Sequence, residues 1–327
     1  MIPDPRPVRP SVLPFVRPSV RSSGRARLGR PVGSCPTRRH TSSEIVIATS
    51  APRTRRTADG GPSARTLLLT VFGEYVRWPG HDGMRSQSAV AALRALGTPE
   101  AATRRAITRL TQEGWLLARP EGRYTRLTMT RPLRRLLTGW TARLARATHD
   151  TPWSGHWQQL LLRPPTGERE ARSVVEEQLA FEGFGDLGRG VWIAADPGGV
   201  DALRALLAER DLTEHATWMT STVCDAERER ALVEQAWDLA AVRTVLADFV
   251  DRFTGATAAT DEEAFVLRTR LVHAWRLTFE RDPRLPAALL PTDWPGPTAT
   301  TLFLTTWHTC HTPATRFWTT LTDPEHH

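Results

Sequence analysis

The sequence predicts a multidomain α+β protein with an N-terminal winged helix-turn-helix, a middle ferredoxin-like α/β unit and a helical C-terminal unit. Its 327 residues suit two or three domains with separate cores. With 40% apolar and 24% charged residues, the composition excludes a coiled coil, a collagen-like fibre and a wholly disordered chain. Along the chain, the spacing of apolar residues switches between the helical and the strand period, and the order of these switches separates the three units.

Charge is distributed unevenly along the chain. Residues 1–62 carry 12 Arg and 3 acidic residues, residues 63–148 carry 15 and 5, and residues 149–327 carry 16 and 27. A basic half joined to an acidic half indicates that one end meets a polyanion such as double-stranded DNA. Residues 1–62, rich in Pro, Arg and Ser, are predicted to be a disordered basic tail. This tail is either a dispensable extension or an arm that grips phosphates.

Residues 63–130 have the pattern of three helices followed by a β-hairpin. The first helix is capped by Ser63, the second begins at Ser86 or Ser88, and the third begins at Pro99 and ends before Gly114. Two strands, at about 115–118 and 124–130, flank a turn that contains Gly122. This order predicts a winged helix, and residues 131–149 are predicted to be a basic connecting helix.

The remaining chain divides into an α/β segment and a helical segment. In residues 150–225, strands at 157–162, 191–195 and 217–223 alternate with helices at 168–181 and 200–210, which predicts a ferredoxin-like unit. In residues 226–327, the pattern predicts a helix or broken pair to about 253, a helix at 261–281 and a last helix that ends near 321. We expect this helical segment to serve effector binding and dimerisation.

The third helix of the winged unit carries the main candidate site. Apolar residues at positions 102, 106, 107 and 110 are expected to face the core. The outer face then presents Arg104, Arg105, Thr108, Arg109 and Gln112. In a helix-turn-helix, the second helix of the pair enters the major groove, where its first turns meet base edges. We therefore predict base contacts from Arg104, Arg105 and Thr108. Arg109 could equally be a structural partner of Glu113, and the whole face could be merely solvated.

The hairpin supplies a second group of basic side chains. Arg119, Arg123, Tyr124 and Arg126 lie on or beside its strands, and Gly122 allows a tight tip. A wing of this composition can follow the phosphates or enter the minor groove. Arg123 is the predicted phosphate contact, while Tyr124 either touches DNA or packs on the neighbouring strand.

Enzymatic signatures are lacking. The sequence has no GxSxG, HExxH or P-loop pattern. Its one GxGxxG spacing, at Gly183, Gly185 and Gly188, lies between a predicted helix and a predicted strand, which is the wrong order for a dinucleotide-binding fingerprint. We therefore predict no enzyme and no cofactor. The first strand of the middle unit ends in Leu162-Arg163-Pro164 without an acid, which disfavours a nuclease. His308 and His311 share a helix face near Cys310, but no third ligand can be named, so no metal is predicted. The three Cys show no pairing pattern and no apolar run could span a membrane, which predicts a cytoplasmic protein.

An ordered set of motifs between residues 63 and 321 resembles the repressors of phenylacetic acid catabolism, the PaaX-like family. In the first unit these motifs are residues 63–65, 67–74, 104–110, 114–116 and 122–123. In the middle unit they are residues 153–157, 183–185 and 190–192, and in the last unit they are residues 271–273, 282–286 and 289–296. Single pieces such as Gly114-Trp115-Leu116 are weak, but the ordered set is specific.

The resemblance implies a ligand-responsive repressor. It implies a winged helix, a middle domain like a CRISPR spacer-acquisition nuclease without its activity, a homodimer, and release from operator DNA by an aryl-acyl-CoA such as phenylacetyl-CoA. We expect Arg268, His273 and Arg276 to contact this effector, although each could instead be a satisfied structural group. Two other classes stay open: a constitutive or architectural DNA-binding protein, and an enzyme acting on nucleic acid or acyl-CoA.

Overall fold

The computed structural model describes residues 61–77, 83–147, 152–163, 167–279 and 281–323. The predicted basic tail therefore lies outside the described residues, apart from residues 61 and 62. The α-helices in this part of the chain are α1 (Ala64–Val71), α2 (Ser86–Ala95), α3 (Glu100–Gln112), α4 (Arg131–Ala147), α5 (Arg169–Phe181), α6 (Val200–Glu209), α7 (Ala226–Ala236), α8 (Leu239–Phe253), α9 (Asp261–Phe279), α10 (Gly296–Thr309) and α11 (His311–Thr322). A π-helical turn at Phe72–Val76, called the π-turn below, follows α1.

The strands form two antiparallel sheets. They are β1 (Gly83–Arg85), β2 (Leu116–Glu121), β3 (Tyr124–Met129), β4 (Trp157–Leu162), β5 (Gly185–Asp186), β6 (Val191–Ala194) and β7 (Ala216–Ser221). The first sheet has the order β1-β3-β2 and the second the order β5-β6-β4-β7. The predicted mixture of α and β structure is confirmed. None of the described helices is long and apolar enough to cross a membrane.

The first sheet lies against α1, α2 and α3. Leu116, Leu127 and Met84 point into the core formed with these helices, each with at most 3% of its surface exposed. The strand β1 was not predicted, because three residues are too short for a recognisable alternation. It pairs with β3 through Met84 opposite Leu127, so the hairpin is extended to a three-stranded sheet.

The second sheet is built by a βαββαβ sequence of elements. The helices α5 and α6 cover one face and bury Leu160, Val175 and Leu203. On the other face, Trp157 and Ile193 pack against α7 and against the loop after α9. The strand β5 lies where the sequence suggested only a Gly-rich turn, because two residues carry no periodic signal.

The last predicted helix is two helices in the structure. The helix α10 ends before Cys310, and α11 begins at His311 and has Pro313 in its first turn. Pro has no amide hydrogen and is tolerated in a first turn, whereas it would break a continuous helix. A second break, which the sequence had left open, separates α7 from α8: Trp237 has an extended backbone, and the Asp238 side chain accepts a hydrogen bond from the Ala241 amide at the start of α8.

The C-terminal helices complete the core of the N-terminal unit. Phe265 of α9 and Trp318 of α11 belong to the same buried cluster as Leu68, Phe72 and Leu93. Tyr75 of the π-turn stacks on Trp318 with ring centroids 5.2 Å apart. From the sequence alone, residues 226–327 are expected to form a separate unit, because an apolar stripe shows that a helix is covered but not which segment covers it. In the structure, the two ends of the described chain share one core.

Candidate nucleic-acid interface

The helix α3 is held against the core by one narrow stripe. Thr103, Ala106 and Leu110 are buried, whereas Ala102 and Ile107, which were expected in the core, are only half-buried. The hydroxyl of Thr103 donates a hydrogen bond to the Pro99 carbonyl. A polar Thr can therefore face the core because the preceding turn satisfies its hydroxyl.

The face of α3 opposite this stripe is exposed, as the sequence predicted. It carries Arg104, Arg105, Thr108, Arg109 and Gln112. Arg104 pairs with Glu100 one turn earlier at 2.7 Å, with both side chains more than half exposed. Such an exposed pair contributes little to stability. The guanidinium can therefore exchange this carboxylate for another acceptor at low cost.

Arg109 has a structural partner, one of the two roles that the sequence left open for it. Its Nε donates to Glu113 at 2.8 Å, and Arg65 of α1 donates to the same Glu113 oxygen at 2.6 Å. Partial burial raises the pKa of Glu113, but the hydrogen bonds from Arg65 and Arg109 outweigh it and lower the pKa below its ordinary value. This carboxylate ties the end of α3 to the start of α1.

The outer face of the first sheet carries a cross-strand row of arginines. Arg126 of β3 lies directly opposite Arg85 of β1 on one side and Arg119 of β2 on the other. Since Leu127 and Met84 face the core, the pleat places these three side chains on the opposite face. Like charges directly opposite in a sheet repel each other. An anion bound to this face would therefore reduce the repulsion among the three arginines.

Tyr124 organises this face near the tip of the hairpin. The guanidinium of Arg85 lies 4.3 Å from the centre of the Tyr124 ring, and Nε of Arg123 donates to the Tyr124 hydroxyl at 2.6 Å. Arg126 pairs with Glu121 at 3.4 Å. Tyr124 therefore packs against neighbouring side chains and also holds Arg123 at the exposed tip. Sequence reasoning missed Arg85, because it lies on the short strand β1.

Together these surfaces are strongly basic. Residues 83–130 carry eight Arg and three acidic residues. Both α3 and the wing tip present exposed guanidinium groups, and such groups bind phosphate and guanine edges. This arrangement suits contact with duplex nucleic acid.

The three residues predicted to contact an effector lie in buried positions on α9. Arg276 donates to the Thr70 hydroxyl at 3.0 Å and stacks on Trp140 at 3.7 Å. His273 lies 3.4 Å from the same hydroxyl. Burial lowers the pKa of His273 to about 4, with a further contribution from Arg276 and Arg252. All of these contacts join α9 to α1 or α4.

Arg268 is part of a larger buried cluster. It donates to the Glu74 carboxylate from Nε at 2.7 Å and stacks on Trp307 at 4.3 Å. Trp307 also donates from its indole nitrogen to Glu74 at 2.9 Å. The π-turn thus contacts both α9 and α10 through one carboxylate. No local pattern in the sequence indicates this cluster, because its members are up to 233 residues apart.

No metal site is found where the sequence raised the question. His308 and His311 are exposed and Cys310 is buried. Within the described residues, no three His, Cys, Asp or Glu side chains form a group that could hold a metal ion.

Comparisons with known proteins identify a family. The family model described as PaaX-like protein matches residues 63–130, that of the PaaX protein central Cas2-like domain matches residues 150–233, and that of the PaaX-like protein C-terminal domain matches residues 237–320. The transcriptional repressor PaaX of Escherichia coli (strain K12) is 28% identical over 248 residues, which are 72% of this chain and 77% of that protein.

A solved structure supports the fold. An uncharacterized protein from Mycobacterium tuberculosis superposes with a TM-score of 0.51 at 23% identity, covering 78% of this chain and 99% of that one. At this identity, the likeness concerns the fold alone. The three family models follow one another along most of the described chain. The chain belongs to the PaaX-like family.

Proposed function

We propose that this protein is a DNA-binding transcriptional repressor. The observation that carries the proposal is the exposed face of α3. It presents Arg104, Arg105 and Thr108 opposite the stripe of buried residues on this helix and beside the basic first sheet. A relative that spans most of the chain is named a transcriptional repressor. The family and the surface thus favour the same function.

In this proposal, residues 63–130 act as a winged helix-turn-helix. The helix α3 enters the major groove and reads bases through Arg104, Arg105 and Thr108. Arg109 and Gln112 lie further along α3 and contact the backbone. The hairpin β2–β3 is the wing, and its Arg123, Tyr124 and Arg126 position the protein on the phosphates. The acidic segment after residue 149 is repelled by DNA and serves other contacts.

We further propose that the repressor is cytoplasmic, dimeric and released by an aryl-acyl-CoA such as phenylacetyl-CoA, at an operon for the catabolism of an aromatic acid. The family resemblance supports this effector, and a two-fold dimer matches a palindromic operator. An effector acts only if it binds the DNA-incompetent state more tightly than the competent one. Direct contact of the effector with Arg268, His273 and Arg276 remains a prediction.

The described contacts supply a route between the two regions. Arg268 joins α9 to Glu74, and Arg276 joins α9 to Thr70, while Glu113 joins α1 to α3 through Arg65. A shift of α9 would therefore move α1 and, with it, the end of α3. In this proposal, the effector alters the position of α3 through these packed elements.

The test is a fluorescence-anisotropy titration of the full chain. Its own upstream intergenic DNA is compared with random DNA of equal length at one salt concentration, with and without phenylacetyl-CoA. We expect preference for the upstream DNA by a factor of at least about 10³ and release by the thioester. Preference without release would remove the proposed effector and leave the repressor. Equal binding to both DNAs would instead indicate an architectural protein.

A further inference from the structure

A small cavity lies between the first sheet and the last helix. Its volume is about 280 Å³, near the lower limit for ligand pockets. The described residues that line it come from the π-turn, from all three strands of the sheet and from α11. They include Tyr75, Arg85, Glu121, Arg126, Trp318 and Thr322. The cavity therefore lies at the edge of the sheet, where Met84 of the core face and Arg85 and Arg126 of the outer face all contribute to its wall.

The walls combine two aromatic rings with two cationic side chains. Tyr75 and Trp318, which stack on each other, are the aromatic lining residues. Arg85 and Arg126, which are directly opposite each other in the sheet, provide two guanidinium groups against the one carboxylate of Glu121. A guanidinium fork matches the planar geometry of a carboxylate. A flat apolar body would complement the rings.

The hydrogen bonding of the Arg85 guanidinium is incomplete among the described residues. This guanidinium is held by stacking on Tyr124 at 4.3 Å. Its Nη1 is buried and has no hydrogen-bond acceptor among the described residues. A buried donor without an acceptor costs free energy, and this cost would fall if the Arg85 guanidinium turned toward a carboxylate in the cavity. Tyr124 at the same time fixes the plane of the fork in advance, so little side-chain freedom is lost on binding.

We propose that this cavity is a binding site for a small aromatic carboxylate, held by Arg85 and Arg126 at its charged end and by Tyr75 and Trp318 at its ring. The cavity is too small to enclose a coenzyme A thioester, so the ligand is a free acid. The site is therefore distinct from that of the effector proposed above. Glu121 competes for Arg126 and leaves it when the ligand binds.

Occupation of the site would connect the wing to the C-terminal helices. The ligand would touch β1, β2 and β3 on one side and α11 on the other. It would hold the sheet, and hence the tip at Arg123, in one position relative to α11. This regulatory consequence rests on the proposed function, whereas binding itself does not.

The test uses isothermal titration calorimetry on the full chain without DNA. Benzoate is the probe, benzamide removes the charge, and acetate removes the ring. We expect benzoate to bind with one site per chain and a Kd of roughly 0.1–1 mM, as suits an ion of nine heavy atoms. Benzamide and acetate should each bind at least about tenfold more weakly. The proposal would be overturned if no benzoate binding were detected at concentrations tenfold above this Kd range. Benzamide binding as tight as that of benzoate would also overturn it.

Variants separate a built site from a merely basic surface. Arg85→Gln should weaken benzoate binding at least about tenfold. Arg119→Gln is the matched control, because Arg119 is also opposite Arg126 but does not line the cavity. It should leave the Kd within about twofold. Equal losses in both variants would reduce the effect to the general positive field and refute the site.

Two further changes guard against misfolding of the Arg85 variant. Thr322→Phe fills the cavity from the end of α11 without changing charge, and it should abolish benzoate binding. Glu121→Gln removes the competing carboxylate and should leave the binding unchanged or tighter. Weaker binding in Glu121→Gln, or unchanged binding in Thr322→Phe, would contradict the assigned geometry. The DNA titration is then repeated with benzoate, so that loss of DNA binding and loss of ligand binding are read separately.

Discussion

Glu74 and Arg268 form an ion pair between the π-turn and α9 although they are 194 residues apart in the chain, and their side chains are only 10% and 3% exposed. Trp307 adds a third hydrogen bond to the same carboxylate oxygen. Loss of Arg268 would leave the Glu74 carboxylate buried without its guanidinium partner. The ion pair therefore couples the stability of the N-terminal region to that of the C-terminal helices.

We expect Arg268→Met to reduce the free energy of unfolding by about 3–5 kcal/mol, because it leaves the Glu74 carboxylate buried without its guanidinium partner. The measurement is urea denaturation followed by circular dichroism. Arg316→Met is the matched control, since it breaks an exposed pair with Asp261 and should change the free energy of unfolding far less. Similar losses of stability in the two variants would contradict a larger contribution from the buried Glu74–Arg268 pair than from the exposed pair.

The assignment of base and phosphate contacts is tested by two alanine variants. Arg104→Ala should cost about 1–3 kcal/mol on specific DNA and relax the preference at one base pair. Arg123→Ala should weaken specific and random DNA alike and reduce the slope of log affinity against log salt by about one. Competition binding with a randomised site measures both effects. If both variants lose specific and random binding equally, α3 does not read bases.

Glu113→Gln should strengthen binding to random DNA. The carboxylate holds Arg65 and Arg109 at the end of α3, so its removal frees a guanidinium for phosphate and increases the salt slope by about one. Since hydrogen bonds from both arginines lower the pKa of Glu113 against the effect of burial, the wild-type residue stays charged at neutral pH. Glu100→Gln, which frees Arg104 in the same way, is the comparison. A salt slope unchanged in Glu113→Gln would mean that Arg109 does not approach DNA.

His273 should make the fold sensitive to moderate acid. Its pKa in the folded state is about 4, below the ordinary value of 6.5, because burial and the nearby Arg276 and Arg252 disfavour the charged ring. As pH falls through 6.5, the unfolded chain takes up the proton first, so stability declines down to pH 4 by about 3 kcal/mol in total. In His273→Asn, the free energy of unfolding should depend less on pH over the same range. Urea denaturation at each pH measures this dependence. Parallel curves for the two proteins would refute this role.

Gly190→Ala should destabilise the second sheet far more than Gly188→Ala. Both glycines have a positive φ, of 78° and 85°, so each variant bears about 1–2 kcal/mol for the left-handed conformation. A Cβ at Gly190 would also lie 2.1 Å from the Leu162 carbonyl oxygen, whereas a Cβ at Gly188 would meet nothing within 4 Å. Thermal melting of the two variants gives the comparison. Equal melting temperatures would mean that β4 and the turn before β6 are not in this close contact.

Much of the local structure follows from the sequence because its signals are local. The strand β4 was predicted at its observed bounds, and α3, α5 and α6 to within a residue or two at each end. Each of these elements carries a full period of apolar residues and a clear stop. The strands β1 and β5 were missed, since three and two residues hold no period. The exposure of Arg104 and Arg105 also followed from the helical period alone.

The parts that could not be predicted depend on contacts between distant segments. The helix period shows that one face of α9 is buried, but it cannot show that Phe265 packs on Tyr75 of the π-turn. The cavity under the wing has the same origin, because Arg85 and Trp318 meet only in the tertiary structure. Polar residues such as Arg276 and Thr70 carry no apolar signal at all, yet they are buried and hydrogen-bonded to each other between α1 and α9.

The shared core of the two chain ends has a consequence for synthesis in the cell. The helix α2 leaves the ribosome more than 200 residues before α11, which covers part of its apolar surface. At typical rates of translation, this delay is roughly 10–40 s. During that time Leu68, Phe72 and Leu93 lack Phe265 and Trp318 as neighbours. The N-terminal unit is thus synthesised first, but its core is complete only after the C-terminal helices have been made. Until then, we expect chaperones that bind apolar surface to bind the nascent chain.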